Sequence, residues 1–203
     1  MPCPVYVEAM PGSLGLLAGR QAQRRYTYTG KIVKTYIVLF RGINVGGKNL
    51  VPMKELVVVL GKCNYQNIKT YIQSGNIVLQ SQKRPNNIAA IFQKKFGFEP
   101  VVYVIKESEL HAAIANNPYK SPNGKDIHFY FCKDKPKIDT VKLERYKSES
   151  EEFHIDVKVF YLYAPDGIGR SKLAANVESC LGVAATGRNL NTIHKLQHMV
   201  QYV

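Results

Sequence analysis

The sequence predicts an α+β protein with two ferredoxin-like halves, each ordered β-α-β-β-α-β with a mainly antiparallel sheet, plus a connecting helix and a C-terminal helix. Short apolar runs of strand length alternate with segments of helical apolar spacing, and this order occurs on both sides of a Pro- and Gly-containing linker. We therefore divide the chain into an irregular or disordered extension (1–34), a first half (35–106), a connector helix and linker (107–126), and a second half with the C-terminal helix (127–203).

The first half begins with a continuous apolar run at residues 36–40, typical of a central strand buried on both faces. Pro52 and Pro85 stand where helices begin, and apolar residues recur after each at helical spacing. The Gln73-Ser-Gly-Asn76 segment has turn chemistry and predicts a hairpin between two strands. The strands are expected at 36–40, 68–72, 77–80 and 101–105.

The second half shows the same alternation after a connecting helix at residues 108–116. Its final strand is very short. We expect strands at 127–132, 153–159, 160–163 and 183–186, helices at 136–147 and 171–181, and a closing helix at 190–200.

The chain has a formal net charge of +13. Residues 1–35 contain five Lys/Arg and one Glu, so most of this charge belongs to the predicted folded part. Such a charge favours binding to nucleic acid, phosphorylated metabolites or an acidic partner. The alternative is that the charge only keeps the protein soluble. No run of about 18 apolar residues occurs, so we expect no membrane association through a spanning helix.

The four cysteines lie far apart and form no CxxC pair, so we expect free, reduced, buried thiols and a cytoplasmic location. His194 and His198 have helical i, i+4 spacing, but no third ligand accompanies them. We therefore predict neither a metal site nor a cofactor.

A Gly-rich loop at residues 41–49 lies between the first strand and the first helix. It fits G-x-x-x-x-G-K, but Asn49 replaces the Ser or Thr that holds magnesium in a P-loop, and the predicted antiparallel order argues against nucleotide hydrolysis. Glycine-rich backbone with adjacent cations still suits anion binding, while the alternative is a loop whose glycines only permit tight turns. The candidate ligand residues are Arg41, Gly42, Asn44, Gly46, Gly47, Lys48 and Asn49.

Three further segments have the same character. Arg170, Ser171 and Lys172 stand at a predicted helix N-terminus, which attracts anions. Arg188 precedes the closing helix, where neighbouring asparagines also serve as caps, and Gln73 and Ser74 lie in the predicted hairpin turn. We expect these loops to meet in one basic cleft between the halves, so that Arg41, Lys48, Arg170 and Arg188 face each other.

Several motifs resemble a bacterial domain-of-unknown-function family, number 1697. They are RGINVGGKN from Arg41, PM from Pro52, TYIQSGN from Thr70, GRSKL from Gly169 and TGRNLNT from Thr186. The resemblance spans residues 36–196, and it departs at Leu190, where the family usually has Trp, and at Gly187, where it often has Ala. It implies an α+β fold with two ferredoxin-like halves and carries no agreed activity.

The preferred function is therefore a cytosolic protein that binds a phosphorylated ligand or nucleic acid in a Gly-rich basic cleft. The alternative is an enzyme that acts on a small phosphate- or carboxylate-bearing substrate, clamped by the cations near Gln73, Ser74 or Asn44. A third reading is an interaction module for an acidic partner. The sequence leaves the oligomeric state open.

Overall fold

The computed structural model describes residues 32–203, so most of the predicted N-terminal extension lies outside the described residues. The described chain forms eight strands and six α-helices in the order expected for two β-α-β-β-α-β halves, which confirms the predicted fold class. The first half contains β1 (Lys34–Arg41), α1 (Met53–Lys62), β2 (Gln66–Tyr71), β3 (Asn76–Ser81), α2 (Ile88–Phe96) and β4 (Val101–Lys106). After α3 (Glu107–Ala115), the second half contains β5 (Ile127–Cys132), α4 (Thr140–Tyr146), β6 (Glu152–Asp156), β7 (Val159–Tyr163), α5 (Lys172–Leu181) and β8 (Ala185–Asn189), and α6 (Leu190–Val200) follows.

Each half contributes one antiparallel sheet of four strands. The strand orders are β2-β3-β1-β4 and β6-β7-β5-β8, so β1 and β5 are central and equivalent. In β1, Lys34 pairs with Ser81 of β3 and Arg41 pairs with Val101 of β4. All six residues of β5 are buried, which explains its unbroken apolar and aromatic sequence.

The two sheets share a core. Ile37 and Leu39 of β1 belong to the same cluster as Phe129 of β5, Tyr161 of β7 and Ile193 of α6. The Tyr161 hydroxyl also donates a 2.9 Å hydrogen bond to the carbonyl of Ala113 in α3. Each such side chain stabilises the fold by roughly 1.5–3 kcal/mol on burial, so this shared core stabilises the contact between the halves.

Three predicted boundaries in the second half are corrected. The helix expected at 136–147 begins only at Thr140, because the preceding backbone is extended: Lys137 and Asp139 donate their N–H groups to the carbonyls of Leu181 and Cys180. The strand expected at 153–159 ends at Asp156, where a two-residue turn leads into β7. The last strand runs on to Asn189, because it pairs with β5 as far as His128.

The prediction that the thiols are buried needs one correction. Cys132 and Cys180 are buried free thiols, but Cys63 is exposed, because it caps the C-terminus of α1 at the protein surface. Cys3 lies outside the described residues. Within residues 32–203, none of the helices is both long and apolar enough to cross a membrane.

Candidate functional site

The Gly-rich loop forms a small hairpin. Gly46 and Gly47 both have positive φ (59° and 73°), and the Lys48 N–H donates a 3.1 Å hydrogen bond to the Val45 carbonyl. Two successive positive φ values are the geometry of a tight hairpin turn, which glycine adopts at little cost. The glycines at this tip therefore turn the chain, and they place Lys48 at its exposed end.

The loop asparagines hold the base of this hairpin. Asn44 and Asn49 adopt left-handed backbone conformations that asparagine tolerates. The Asn44 amide donates to the carbonyls of Val51 (3.0 Å) and Gln73 (2.8 Å), and its oxygen accepts from the Val51 N–H. The Asn49 amide donates to the Gly42 carbonyl at 2.9 Å. Both predicted ligand side chains are therefore engaged in holding the loop: Asn44 fixes it onto the β2–β3 turn, and Asn49 closes it on itself.

A cleft of about 610 Å³ opens beside this loop, between the two halves. The first half contributes Arg41 and Gly42 from the end of β1 and Ser74 from the β2–β3 turn. The second half contributes Thr186 and Arg188 from β8, Tyr130 from β5 and residues 174–179 of α5.

The Arg188 guanidinium is largely buried at this cleft and donates all five of its N–H groups to neutral oxygens. No carboxylate among residues 32–203 lies within ion-pair distance of it. Burial alone lowers the pKa of Arg188 to about 10. Its acceptors are Asn76 Oδ1 (2.5 Å), Thr186 Oγ1 (3.0 Å) and the carbonyls of Gly187 (2.7 Å), Phe40 (2.8 Å) and Ser74 (3.3 Å).

Two hydroxyl groups at the cleft are oriented by this network. Thr186 Oγ1 accepts a hydrogen bond from Arg188, and Ser74 Oγ accepts a 3.1 Å hydrogen bond from the Asn76 amide. A hydroxyl group can accept and donate at the same time. Each of these two accepts a hydrogen bond through its oxygen, and its own hydrogen is available to be donated to a ligand. The network therefore presents two polarised donors next to an uncompensated positive charge.

Arg41 is paired. Its guanidinium donates two hydrogen bonds, of 2.6 and 2.7 Å, to the carboxylate of Glu178 in α5. Glu178 also accepts a 2.7 Å hydrogen bond from the Ala185 N–H at the start of β8. The Arg41 side chain is 45% exposed, so water screens this pair and weakens it. Arg41 therefore lines the cleft as a neutralised cation.

The structure unites only some of the predicted site residues. Arg41, Gly42, Ser74 and Arg188 line the cleft, whereas Lys48 lies at the hairpin tip and the Gln73 side chain is exposed. Arg170, Ser171 and Lys172 line a different cavity of about 470 Å³. We expected all the loops to meet at one cleft, and the N-terminus of α5 does not join it: the Ser171 hydroxyl instead caps the helix by accepting from the Ala174 N–H at 2.9 Å.

Three residues important to this geometry were not among the predicted site residues. Asn76 and Thr186 stood inside motifs that we noted, but the sequence does not show that both bond to Arg188. Glu178 gave no signal at all, because its partner Arg41 is 137 residues away. Neither His194 nor His198 is buried, and in the described part of the chain no three His, Cys, Asp or Glu residues are grouped to hold a metal.

Comparisons with known proteins agree with this fold. The family model described as "Protein of unknown function (DUF1697)" matches residues 33–161. The structure is similar to that of the conserved bacterial protein SP0830 from Streptococcus pneumoniae, with a TM-score of 0.64 and 22% sequence identity, over 83% of this chain and 99% of that one. At this identity the similarity shows a shared fold. No curated protein matches the chain.

Proposed function

The chain belongs to the DUF1697 family of proteins of unknown function, and we propose that it binds the phosphate group of a phosphorylated ligand in the cleft between its halves. The observation that supports this most is the Arg188 guanidinium, largely buried and without a carboxylate among the described residues. An isolated charge in a protein interior is costly unless an opposite charge compensates it. A bound anion supplies that charge.

The magnitude is sufficient for binding. An anion about 7 Å from such a cation gains about 2 kcal/mol at an effective dielectric constant of about 20. Direct contacts add to this, because the Ser74 and Thr186 hydroxyls keep hydrogens for donation and hydrogen bonds to charged acceptors contribute roughly 1.5–3 kcal/mol. Together these terms correspond to micromolar to millimolar affinity for a single phosphate group.

Arg41 is the second cation of this proposal. In the free protein, the two terminal nitrogens of its guanidinium group donate to the two carboxylate oxygens of Glu178. A phosphate group offers the same bidentate geometry with more negative charge, so it competes with Glu178 for Arg41. Binding therefore depends on the strength of the Arg41–Glu178 pair, and weakening the carboxylate partner raises the affinity for an anion.

The dimensions of the cleft favour a small molecule over a polynucleotide. A volume of about 610 Å³ is within the range of small-ligand pockets. Nucleic acid remains the alternative because the chain carries a net charge of +13, which attracts any polyanion. A cytosolic location also belongs to this proposal, since Cys63, Cys132 and Cys180 are free thiols.

The test is a thermal-shift panel with inorganic phosphate, pyrophosphate, sugar phosphates and nucleotides. A ligand at 100 times its Kd stabilises the native state by about 2.7 kcal/mol, so a true ligand gives a saturable rise in Tm. We expect Glu178→Gln to strengthen binding roughly three- to tenfold, because the amide still accepts from Ala185 but no longer neutralises Arg41. We expect Arg41→Met to weaken binding of the same ligand, because it removes the cation that the phosphate group would contact.

The matched control is Glu55→Gln, which also removes one negative charge but lies in α1, where Glu55 pairs with Lys95. Equal strengthening by Glu55→Gln and Glu178→Gln means that only net charge matters, and it contradicts a site in this cleft. A mobility-shift titration with short RNA and DNA at two salt concentrations separates the alternatives. Tight, strongly salt-dependent retardation favours nucleic acid.

A further inference from the structure

A second cavity lies between the two halves. It shares none of its lining residues with the cleft of about 610 Å³ at Arg41 and Arg188. Its volume is about 770 Å³. One wall is formed by β4 and α3, and the other by the end of β5 and the turn between β6 and β7. The Asn116 amide donates a 2.7 Å hydrogen bond to Asp156 Oδ2 and so joins the two walls.

The walls of this cavity are mainly apolar. They include Val102 and Val104 of β4, Ala112 of α3, Phe131 of β5 and Val159 of β7. A ligand that covers these walls gains roughly 25 cal/mol of binding free energy for each Å² of apolar surface that it removes from water. The walls alone therefore favour a ligand with a hydrocarbon or aromatic body.

The charges around the cavity select the sign of the ligand. Two carboxylates line the cavity: Glu109 lies 3.5 Å from Arg84, whereas Asp156 accepts from the neutral Asn116 amide and keeps its negative charge. Lys133 and Lys158 also line the cavity, and no carboxylate in residues 32–203 lies within 4.0 Å of either ammonium group. The Lys158 ammonium donates a 3.4 Å hydrogen bond to the Lys133 carbonyl, which is neutral. With Arg84, the lining therefore carries three cations against two carboxylates, an excess of one positive charge.

From these walls and charges, we infer that the cavity binds a small amphipathic acid, with an apolar body between the two sheets and a carboxylate at Lys133 and Lys158. An amine of the same shape meets this excess of positive charge and is disfavoured. A neutral analogue has the apolar contacts but lacks the electrostatic attraction. Affinity for ligands of one chain length therefore decreases in the order acid, alcohol, amine.

The experiment uses the full chain with one tryptophan reporter. The chain has no tryptophan, and Val157 is 76% exposed at the rim of the cavity, so Val157→Trp reports binding there alone. Decanoate, 1-decanol and decylamine are titrated, and the emission maximum of the reporter is followed. We expect a saturable blue shift with decanoate, a weaker one with 1-decanol and none with decylamine. No saturable response to decanoate, or equal affinity for all three probes, overturns the inference.

Charge-reversed variants locate the carboxylate. Lys133→Glu combined with Lys158→Glu, in the reporter background, weakens decanoate binding roughly tenfold. The matched control is Lys135→Glu combined with Lys137→Glu, which changes the net charge equally at two exposed lysines that do not line the cavity. Equal weakening by both pairs overturns the site. Circular dichroism of each variant establishes that it is folded at the measured temperature.

Discussion

Replacing Arg188 by Met tests whether the guanidinium holds the two halves together. Methionine keeps most of the stem and removes every N–H donor. Three of the five acceptors belong to the first half (Phe40, Ser74 and Asn76), so the variant breaks hydrogen bonds that join the halves. The variant also removes the charge that we propose attracts phosphate.

The size of the effect follows from two opposing terms. Phe40, Asn76 and Thr186 are buried residues, and an acceptor left unpaired on each costs about 2 kcal/mol, or roughly 6 kcal/mol together. Burial lowers the pKa of Arg188 from 12.5 to about 10, so removing the cation returns about 3 kcal/mol of desolvation free energy. The variant is therefore destabilised by about 3 kcal/mol, which lowers Tm by roughly 6–12 °C in a chain of this size.

Calorimetry or a thermal-shift assay measures this difference against Arg170→Met. Arg170 is an exposed arginine at the other cavity, and its replacement by Met is expected to change the free energy of unfolding by less than about 0.5 kcal/mol. If Arg188→Met and Arg170→Met unfold at the same temperature, the hydrogen bonds of Arg188 do not stabilise the contact between the halves, and the reasoning is refuted.

Three further predictions concern single residues. Tyr103→Phe stabilises the protein by about 1 kcal/mol in thermal unfolding, because the Tyr103 hydroxyl is buried without a hydrogen-bond partner; unchanged or lower stability contradicts this. Gly187→Ala costs about 1–3 kcal/mol, because its Cβ would lie 2.9 Å from the Tyr130 ring, and this cost should vanish in a Tyr130→Ala background. Burial lowers the pKa of His128 from 6.5, so below about pH 6.5 the unfolded chain takes up a proton that the native state resists. Wild type should therefore lose more Tm than His128→Gln between pH 7.5 and 5.5, whereas exposed His194→Gln behaves as wild type.

The elements of the fold could be predicted because their signals are local. The apolar run at residues 36–40 and Pro52, which caps α1, are signals that depend on neighbours within one strand or helix. Pro85 was wrong as a helix start, because α2 begins at Ile88 after the Asn87 cap. The α4 boundary was wrong because a long-range contact overrides the local pattern: the backbone of Lys137 and Asp139 pairs with the end of α5, more than 40 residues away. Long-range partners of this kind are invisible to periodicity.

The site was harder to predict for the same reason. The Gly-rich loop contained Arg41, which lines the cleft, but its partner Glu178 is 137 residues away. Arg188 was predicted as a candidate ligand residue before the closing helix, and the structure shows it largely buried, with each of its N–H groups donated to a protein oxygen. The sequence shows which side chains can donate hydrogen bonds. Only the folded structure shows which protein oxygens accept those bonds and so leave none for a ligand.

Arg188 and Arg41 therefore have different parts in the proposed binding. Arg188 cannot turn toward a ligand without breaking bonds to both halves, so it provides a fixed charge and acts through the Thr186 and Ser74 hydroxyls. Arg41 is exposed and held by one carboxylate, so it is free to exchange Glu178 for a phosphate. If Arg188 had a carboxylate partner, the cleft would be neutral and the exchange at Arg41 would gain little. The uncompensated Arg188 is what makes that exchange favourable.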